Sequence, residues 1–226
     1  MRRHMAHTHR SGSGCRWEVC GIAAQLRQRK RVLWEAREAA ACEAVLREYC
    51  SHIESSMTAG ALLVCVVGAK LSEGINFGDG LGRCVVNFGL PYPDLRDVEL
   101  QERLAHIEHT AVHGAASGAS AGTGAGAGPG SGRPGGAQMG PVAREMYTNM
   151  CMQAVNQCVG RAIRHINDYA AVVLVDVRYT SADRGGQRMV SKLPPWLTQR
   201  WHDCPSSVGP ALAAMARFYK AMQAST

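Results

Sequence analysis

Three polar residues in the second half of the chain stand at the spacing of one helix face. Gln157, Arg161 and Arg164 follow one another at i, i+4 and i+7 in "QCVGRAIR", and a helical projection places them opposite an apolar face. A guanidinium group is planar, always charged and able to form paired hydrogen bonds to an oxyanion. The pattern fits a phosphate-binding face with Gly160 at its flank, and it fits a solvated basic face equally well.

A second polar segment, "KLSEGINFGDGLGR" at residues 70–83, separates two apolar runs, "ALLVCVV" and "CVVNFGLP". Continuous apolar runs are typical of buried parallel strands, and open α/β sheets bind their ligands at the carboxyl ends of strands. The glycines would let the backbone approach a ligand closely. The segment is therefore predicted to belong to a binding site, with a loose surface loop as the alternative.

These segments lie among strands and helices that alternate along the chain, and this order predicts an α/β fold with a parallel sheet. Asp97 is placed to cap the second helix. The predicted strands are residues 31–35, 60–67, 83–91 and 168–180, and the main helices are 36–55, 97–110, 144–166 and 208–224. The apolar face of the third helix is predicted to contain Met152, Val155, Val159, Ala162, Ile163 and Ile166.

Two stretches differ in composition from the rest. Residues 1–29 are basic and poor in apolar side chains, so a disordered lead-in is predicted there. Residues 114–140 contain eleven of the 25 glycines, which is typical of a flexible linker or inserted loop. The sequence thus predicts one domain at residues 30–222, interrupted by this flexible insertion.

Composition narrows the classes of partner. The net charge of +7 favours an anionic partner. None of the nine cysteines forms a C-x-x-C pair, so we expect reduced thiols. His106, His109 and His113 share one helical side without an acid or cysteine, so no metal site is predicted. No apolar run has the length of a membrane span, so no membrane partner is expected. The basic cluster at 27–31 is interpreted as a solvated end rather than a nuclear localisation patch.

Two longer stretches resemble a known family. "GAKLSEGINFGDGLGRCVVNFGLPYP" is similar to motif V, and "QAVNQCVGRAIRHINDYAAVVLVDVRY" to motif VI with its following strand, in superfamily 2 helicases of the XPD type. "KLPPWL" resembles the ending that follows motif VI in that family. The match is closest to the chromosome-loss, sister-chromatid-cohesion branch of these iron–sulfur DNA helicases, and it covers residues 30–222 apart from the insertion.

The resemblance implies the second of two RecA-like domains, which together clamp ATP and Mg while DNA lies across both. In the family, motif VI arginines reach the γ-phosphate from across the cleft, where an arginine finger stabilises transition-state charge. Motif V couples the nucleotide to the DNA strand, and many relatives carry Asp where this chain has Asn76. The residues that match motif VI are Gln157, Arg161 and Arg164, and those that match motif V are Ser72, Glu73, Gly74 and Asn76. Gly160 is expected to act with the latter four in coupling nucleotide to DNA.

The chain also departs from the family. It contains no G-x-x-x-x-G-K-[ST] phosphate loop and no D-E-A-H box. The four cysteines of the family's 4Fe-4S cluster belong to the first domain, so no cluster is expected here. The expectation is the C-terminal part of a nuclear, ATP-dependent DNA helicase of DNA repair and sister chromatid cohesion, which needs a first RecA-like domain for hydrolysis. The alternative is a stand-alone nucleic-acid-binding or regulatory module without hydrolysis; an unrelated small α/β phosphotransferase is disfavoured.

Overall fold

A computed structural model describes most of the chain outside its two ends and the glycine-rich stretch. The described residues are 16–55, 60–69, 71, 77–116, 139–163, 165, 167–180, 188–204 and 207–224. Within these ranges no helix combines the length and the apolar character that crossing a membrane would require.

Helices and strands are interspersed along the described residues, although two strands or two helices follow one another at several points. The helices are α1 (Arg16–Val19), α2 (Ile22–Arg27), α3 (Ala39–Ser55), α4 (Val98–Ala116), α5 (Pro141–Val159), α6 (Pro195–Thr198) and α7 (Val208–Ala224). The strands are β1 (Arg31–Trp34), β2 (Ala61–Val64), β3 (Cys84–Phe88) and β4 (Ala171–Val175), and short 3-10 helices occur at Asp79–Leu81 and Val177–Tyr179. The side chain of Asp97 accepts a hydrogen bond from the amide of Glu99 at 3.0 Å, which confirms the predicted cap of α4.

The strands pair in parallel, which confirms the predicted α/β class. β1 pairs with β2 so that Val32 lies opposite Leu62, and β3 pairs with β4 so that Cys84 lies opposite Ala171. Among the described residues these four strands form two two-stranded sheets rather than one continuous sheet. α3 lies between β1 and β2 in the chain and provides the crossover connection that parallel neighbouring strands require.

The amino-terminal lead-in is partly ordered. Residues 16–27 contain α1 and α2, whereas the basic composition of residues 1–29 predicted disorder throughout. The reason is tertiary packing: Ala23 is completely buried, and the ring of Trp17 packs edge-on against Trp34 of β1 with centroids 5.4 Å apart. The packing of two aromatic rings can order a segment of polar composition, because such pairs bury large apolar surfaces.

The chain divides into two compact units, one of residues 1–91 and 153–226 and one of residues 92–152. The sequence predicted instead a single domain interrupted at residues 114–140. In the smaller unit, Leu100 and Leu104 of α4 pack with Ala143 of α5. α4 and α5 are also joined by a carboxylate, because Glu108 accepts a hydrogen bond from the amide of Ala143 at 2.7 Å.

The glycine-rich insertion falls mainly on residues 117–138, which lie outside the described residues. Its predicted borders differ from the structure at both ends. α4 continues to Ala116, and the carbonyl oxygen of Gly140 accepts a hydrogen bond from Arg144 in the first turn of α5. Residues 114–116 and 140 therefore belong to the helical unit.

Candidate functional site

The arginine-bearing segment leaves its helix earlier than the sequence predicts. α5 ends at Val159, so the prediction of a continuous helix through residue 166 is wrong. Gly160 still donates to the carbonyl of Asn156 at 2.9 Å, but the amide of Ala162 turns to the carbonyl of Val159 at 3.2 Å. Glycine is a poor helix residue and a common helix end. Arg161 therefore lies on the turn that follows the helix rather than on a helix face.

The apolar side of this segment is nevertheless where it was expected. Four of the six predicted residues, Met152, Val155, Val159 and Ala162, are each at most 1% exposed. Ile163 is half-buried, and Ile166 lies outside the described residues. On the other side Gln157 is exposed, and Arg161 is half-buried. The prediction of one buried and one accessible side thus holds for these residues, even though the turn replaces the last part of the helix.

The positive charge of Arg161 acts on the thiol of the neighbouring Cys158. Burial raises the pKa of the Cys158 thiol above its ordinary value, and the positive charge of Arg161 partly opposes this rise. A cation that is partly shielded from solvent by protein atoms is less screened than one in open water. The guanidinium of Arg161 is therefore close enough to the Cys158 thiol for the two groups to interact electrostatically.

Several of the proposed site residues cannot be placed. Ser72, Glu73, Gly74, Asn76 and Arg164 lie outside the described residues, and their roles stay predictions. The residues that flank the first four are described: Leu71 is 2% exposed, and Phe77 is half-buried. The geometry of the site is therefore built from these flanks and from the segment around Arg161.

The two segments meet through their main chains. The amide of Phe77 donates a hydrogen bond to the carbonyl oxygen of Arg161 at 3.0 Å. Tyr49 of α3 supports this contact, since its ring packs edge-on against Phe77 with centroids 5.9 Å apart and its hydroxyl donates to the carbonyl of Leu81 at 2.6 Å. Burial is the main reason that the pKa of Tyr49 is raised to about 12, so the hydroxyl stays protonated and keeps its donor role.

Gly82 is required by the same close approach. A Cβ added at residue 82 would clash with the backbone carbonyl oxygen of Phe77, whereas one added at Gly80 would meet nothing within 4 Å. The φ angle of Gly82 is −138°, a value open to any residue, so the demand is for space and not for backbone conformation. This glycine thus lets the segment fold back tightly beside Phe77.

A buried carboxylate completes the junction. The side chain of Asp168 is 0% exposed and forms a 2.6 Å ion pair with Arg83. Its other oxygen accepts a hydrogen bond from the amide of Asp79 at 3.1 Å, and the Asp79 carboxylate lies 3.0 Å from His165 Nε2. The guanidinium of Arg83 also lies 4.0 Å from the ring centroid of Tyr169, within the range of a cation–π contact.

Asp79, His165 and Asp168 offer ligand atoms that all lie within 4.8 Å of one another, a spacing that a metal ion could bridge. Both carboxylate oxygens of Asp168, however, already accept hydrogen bonds, one from Arg83 and one from Asp79. A cation bound there would also face the positive charge of Arg83. We therefore interpret the cluster as a hydrogen-bonded junction. Sequence analysis missed it because Asp79 and Arg83 are far from Asp168 along the chain.

Comparison with known proteins shows the family of the chain. Residues 16–199 match the family described as "Helicase C-terminal domain". "ATP-dependent DNA helicase DDX11" of Mus musculus is 39% identical over 210 residues, which cover 90% of this chain and 20% of that protein. The DDX11 of Danio rerio is 40% identical over 209 residues, with 90% and 20% covered.

A fungal relative matches a similar share of the chain. "ATP-dependent DNA helicase chl1" of Schizosaccharomyces pombe is 35% identical over 207 residues, which cover 91% of this chain and 21% of that protein. The chain thus spans about a fifth of the length of these relatives. The resemblance to XPD-type helicases of the chromosome-loss branch is confirmed, and the chain belongs to the helicase C-terminal domain family.

Proposed function

We propose that this chain acts as the C-terminal RecA-like domain of an ATP-dependent DNA helicase. In this role it supplies Arg161 and Arg164 to an ATP site that it shares with a first RecA-like domain. The carrying observation is the 3.0 Å hydrogen bond between Phe77 and Arg161. It joins Phe77, within the motif V-like segment, directly to the proposed finger residue.

The surroundings of Arg161 fit a phosphate group. Arg161 is half-buried and Gln157 is exposed, so a charged donor and a neutral polar group lie four residues apart in this segment. When bound, ATP would supply the phosphoryl group whose transfer to water drives the motor, and Mg²⁺ would neutralise charge on the phosphate oxygens. Arg161 would stabilise the charge that develops on that group, while the other phosphate contacts and the Mg²⁺ ligands come from the first domain.

DNA is the proposed track. The net charge of +7 favours contacts with the phosphate backbone, which carry no base sequence information. The relatives are named as DNA helicases, and a nuclear location with a role in DNA repair and sister chromatid cohesion is part of the same proposal. The motif V-like residues Ser72, Glu73, Gly74 and Asn76 would couple the nucleotide to the DNA strand.

The experiment compares the chain alone with the chain joined to a first RecA-like domain from a relative such as the Danio rerio helicase. Alone, the chain should hydrolyse no ATP above background and should bind single-stranded DNA weakly, with an affinity that falls steeply as salt is added. Joined, it should gain DNA-stimulated ATPase activity.

The alternative is a stand-alone nucleic-acid-binding or regulatory module, and the same experiment distinguishes it. A joined protein that binds DNA but stays inactive would favour the module. DNA binding that survives high salt or depends on base sequence would contradict the helicase proposal.

A further inference from the structure

Glu35 is a buried carboxylate directly after β1. It is 6% exposed, although it is an ionisable side chain and such groups are rarely buried without partners. Its own amide continues the strand pairing by donating to the carbonyl of Val64 at 2.9 Å. Its position beside the end of β2 is therefore fixed by the main chain.

Both carboxylate oxygens of Glu35 accept hydrogen bonds from the segment that follows β2. Oε2 accepts from the amide of Val66 at 2.9 Å, and Oε1 accepts from the amide of Leu71 at 2.7 Å. Hydrogen bonds from backbone amides to a carboxylate are among the strong ones in proteins. One side chain thus holds two points of the same segment.

The backbone between these two points turns sharply. The amide of Ala69 donates to the carbonyl of Val66 at 3.0 Å, and Gly68 has φ +82°, a conformation that glycine adopts most readily. Leu71 closes the turn and is 2% exposed. The carboxylate therefore fixes the place and direction in which the chain leaves the turn at Leu71.

Cys65 adds no second charge beside Glu35. The pKa of Cys65 is raised to about 12, mainly by burial and next by the negative charge of Glu35. Cys65 therefore stays a neutral thiol.

We propose that Glu35 is a positioning residue that fixes Leu71, near the start of the motif V-like stretch at residues 68–93. Phe77 lies in the same stretch, and its amide donates a hydrogen bond to the carbonyl of Arg161. Glu35 thus fixes Leu71, as the bond to Arg161 fixes Phe77. The inference rests on the proposed function, since it assigns to this segment a role in binding DNA.

Glu35→Gln keeps the size of the side chain but replaces one acceptor oxygen with an NH₂ group, which cannot pair with an amide donor. The matched control is Glu48→Gln on α3, whose side chain is 45% exposed and pairs with Arg31. Both changes remove one negative charge, which by itself would tighten binding to DNA.

The first measurement is amide hydrogen exchange of the unbound chain by NMR. The amides of Val66 and Leu71 should be protected in the wild-type chain and in Glu48→Gln, and they should exchange about tenfold or more faster in Glu35→Gln. Fast exchange of both amides in the wild-type chain, or unchanged exchange in Glu35→Gln, would overturn the inference.

The second measurement is the affinity for a single-stranded oligonucleotide, at a temperature where every variant is folded. Glu35→Gln should bind about five- to tenfold more weakly, opposite to the effect of its charge, whereas Glu48→Gln should bind equally or slightly more tightly. Binding by folded Glu35→Gln that is as tight as wild type would overturn the positioning role. If the wild-type chain binds no DNA, the proposed function fails, and the exchange of the two amides alone decides whether Glu35 fixes this segment.

Discussion

The amide nitrogen of Phe77 lies 3.0 Å from the carbonyl oxygen of Arg161 and donates a hydrogen bond to it. Because only main-chain atoms are involved, the bond positions the backbone of Arg161 without using its guanidinium group. Any change that displaces Phe77 should therefore displace Arg161 as well. Substitutions in the junction formed by Gly82, Arg83 and Asp168 test this dependence.

Gly82→Ala should destabilise the fold, because the added methyl group would clash with the carbonyl oxygen of Phe77. Overpacking of this kind costs about 1–3 kcal/mol, measured as a lower denaturant midpoint. Gly80→Ala is the matched control in the same short 3-10 segment, where an added Cβ meets nothing within 4 Å. Equal midpoints for the two variants would contradict the close approach.

Asp168→Asn should lower the free energy of unfolding by about 2 kcal/mol, because it removes the charge from a buried hydrogen-bonded pair with Arg83. The control is Asp94→Asn, whose partner Arg96 is at the same 2.6 Å distance but whose own side chain is 55% exposed. Exposed pairs contribute little, so its urea midpoint should not move measurably. A similar loss in both variants would show that burial of Asp168 is unimportant.

Arg178→Gln should make the stability of the chain less dependent on acid pH. Hydrogen bonds from Arg178 are the largest cause that lowers the pKa of Asp176, while burial opposes them. A carboxyl whose pKa is lower in the folded chain stabilises the fold above its unfolded pKa of about 4, and this stabilisation is lost as the pH falls through the folded pKa.

The unfolding free energies of wild type and Arg178→Gln should therefore differ at pH 7 and converge below about pH 4. Urea titrations between pH 7 and pH 3 measure this difference. Arg200→Gln, which removes the charge of an exposed arginine, should track wild type throughout. A gap between wild type and Arg178→Gln that stays constant down to pH 3 would mean that Asp176 is not the group involved.

The regular elements were predictable because their signals are local. "ALLVCVV" and "CVVNFGLP" are apolar runs, and β2 and β3 lie within them. The end of α5 was missed although Gly160 marks it, because the apolar periodicity continues to Ala162, which is buried on the following turn. The periodicity of apolar residues indicates which side chains are buried, and here buried side chains continue past the last helical residue.

The junction itself could not be predicted. Asp168, Arg83 and Asp79 look like ordinary surface charges in the sequence, and only the pairing of β3 with β4 brings their loops together. Glu35 is a similar case, since an acid after an apolar strand normally indicates the start of a loop. Its two amide donors, Val66 and Leu71, become neighbours only because β1 and β2 pair in parallel.

Arg161→Ala is expected to affect catalysis far more than folding. In the chain joined to a first RecA-like domain, turnover of ATP should fall by about 10³–10⁵, as for other arginine fingers. Nucleotide binding should fall much less, because most phosphate contacts come from the first domain. Arg161→Lys should not restore activity, since a point charge cannot replace the planar fork of the guanidinium.

Two controls separate this loss from general damage. Arg47→Ala removes an exposed arginine from α3 and should leave turnover within about twofold of wild type, because surface substitutions away from a site change little. Val159→Asp places a charge at a position that is 0% exposed and should unfold the domain instead. Arg161→Ala should keep the circular dichroism spectrum and the unfolding midpoint of the wild type, because the hydrogen bond between Phe77 and residue 161 uses main-chain atoms that the substitution retains. If its ATPase rate also matches wild type, Arg161 does not act on the transferred phosphoryl group, and the proposed finger is refuted.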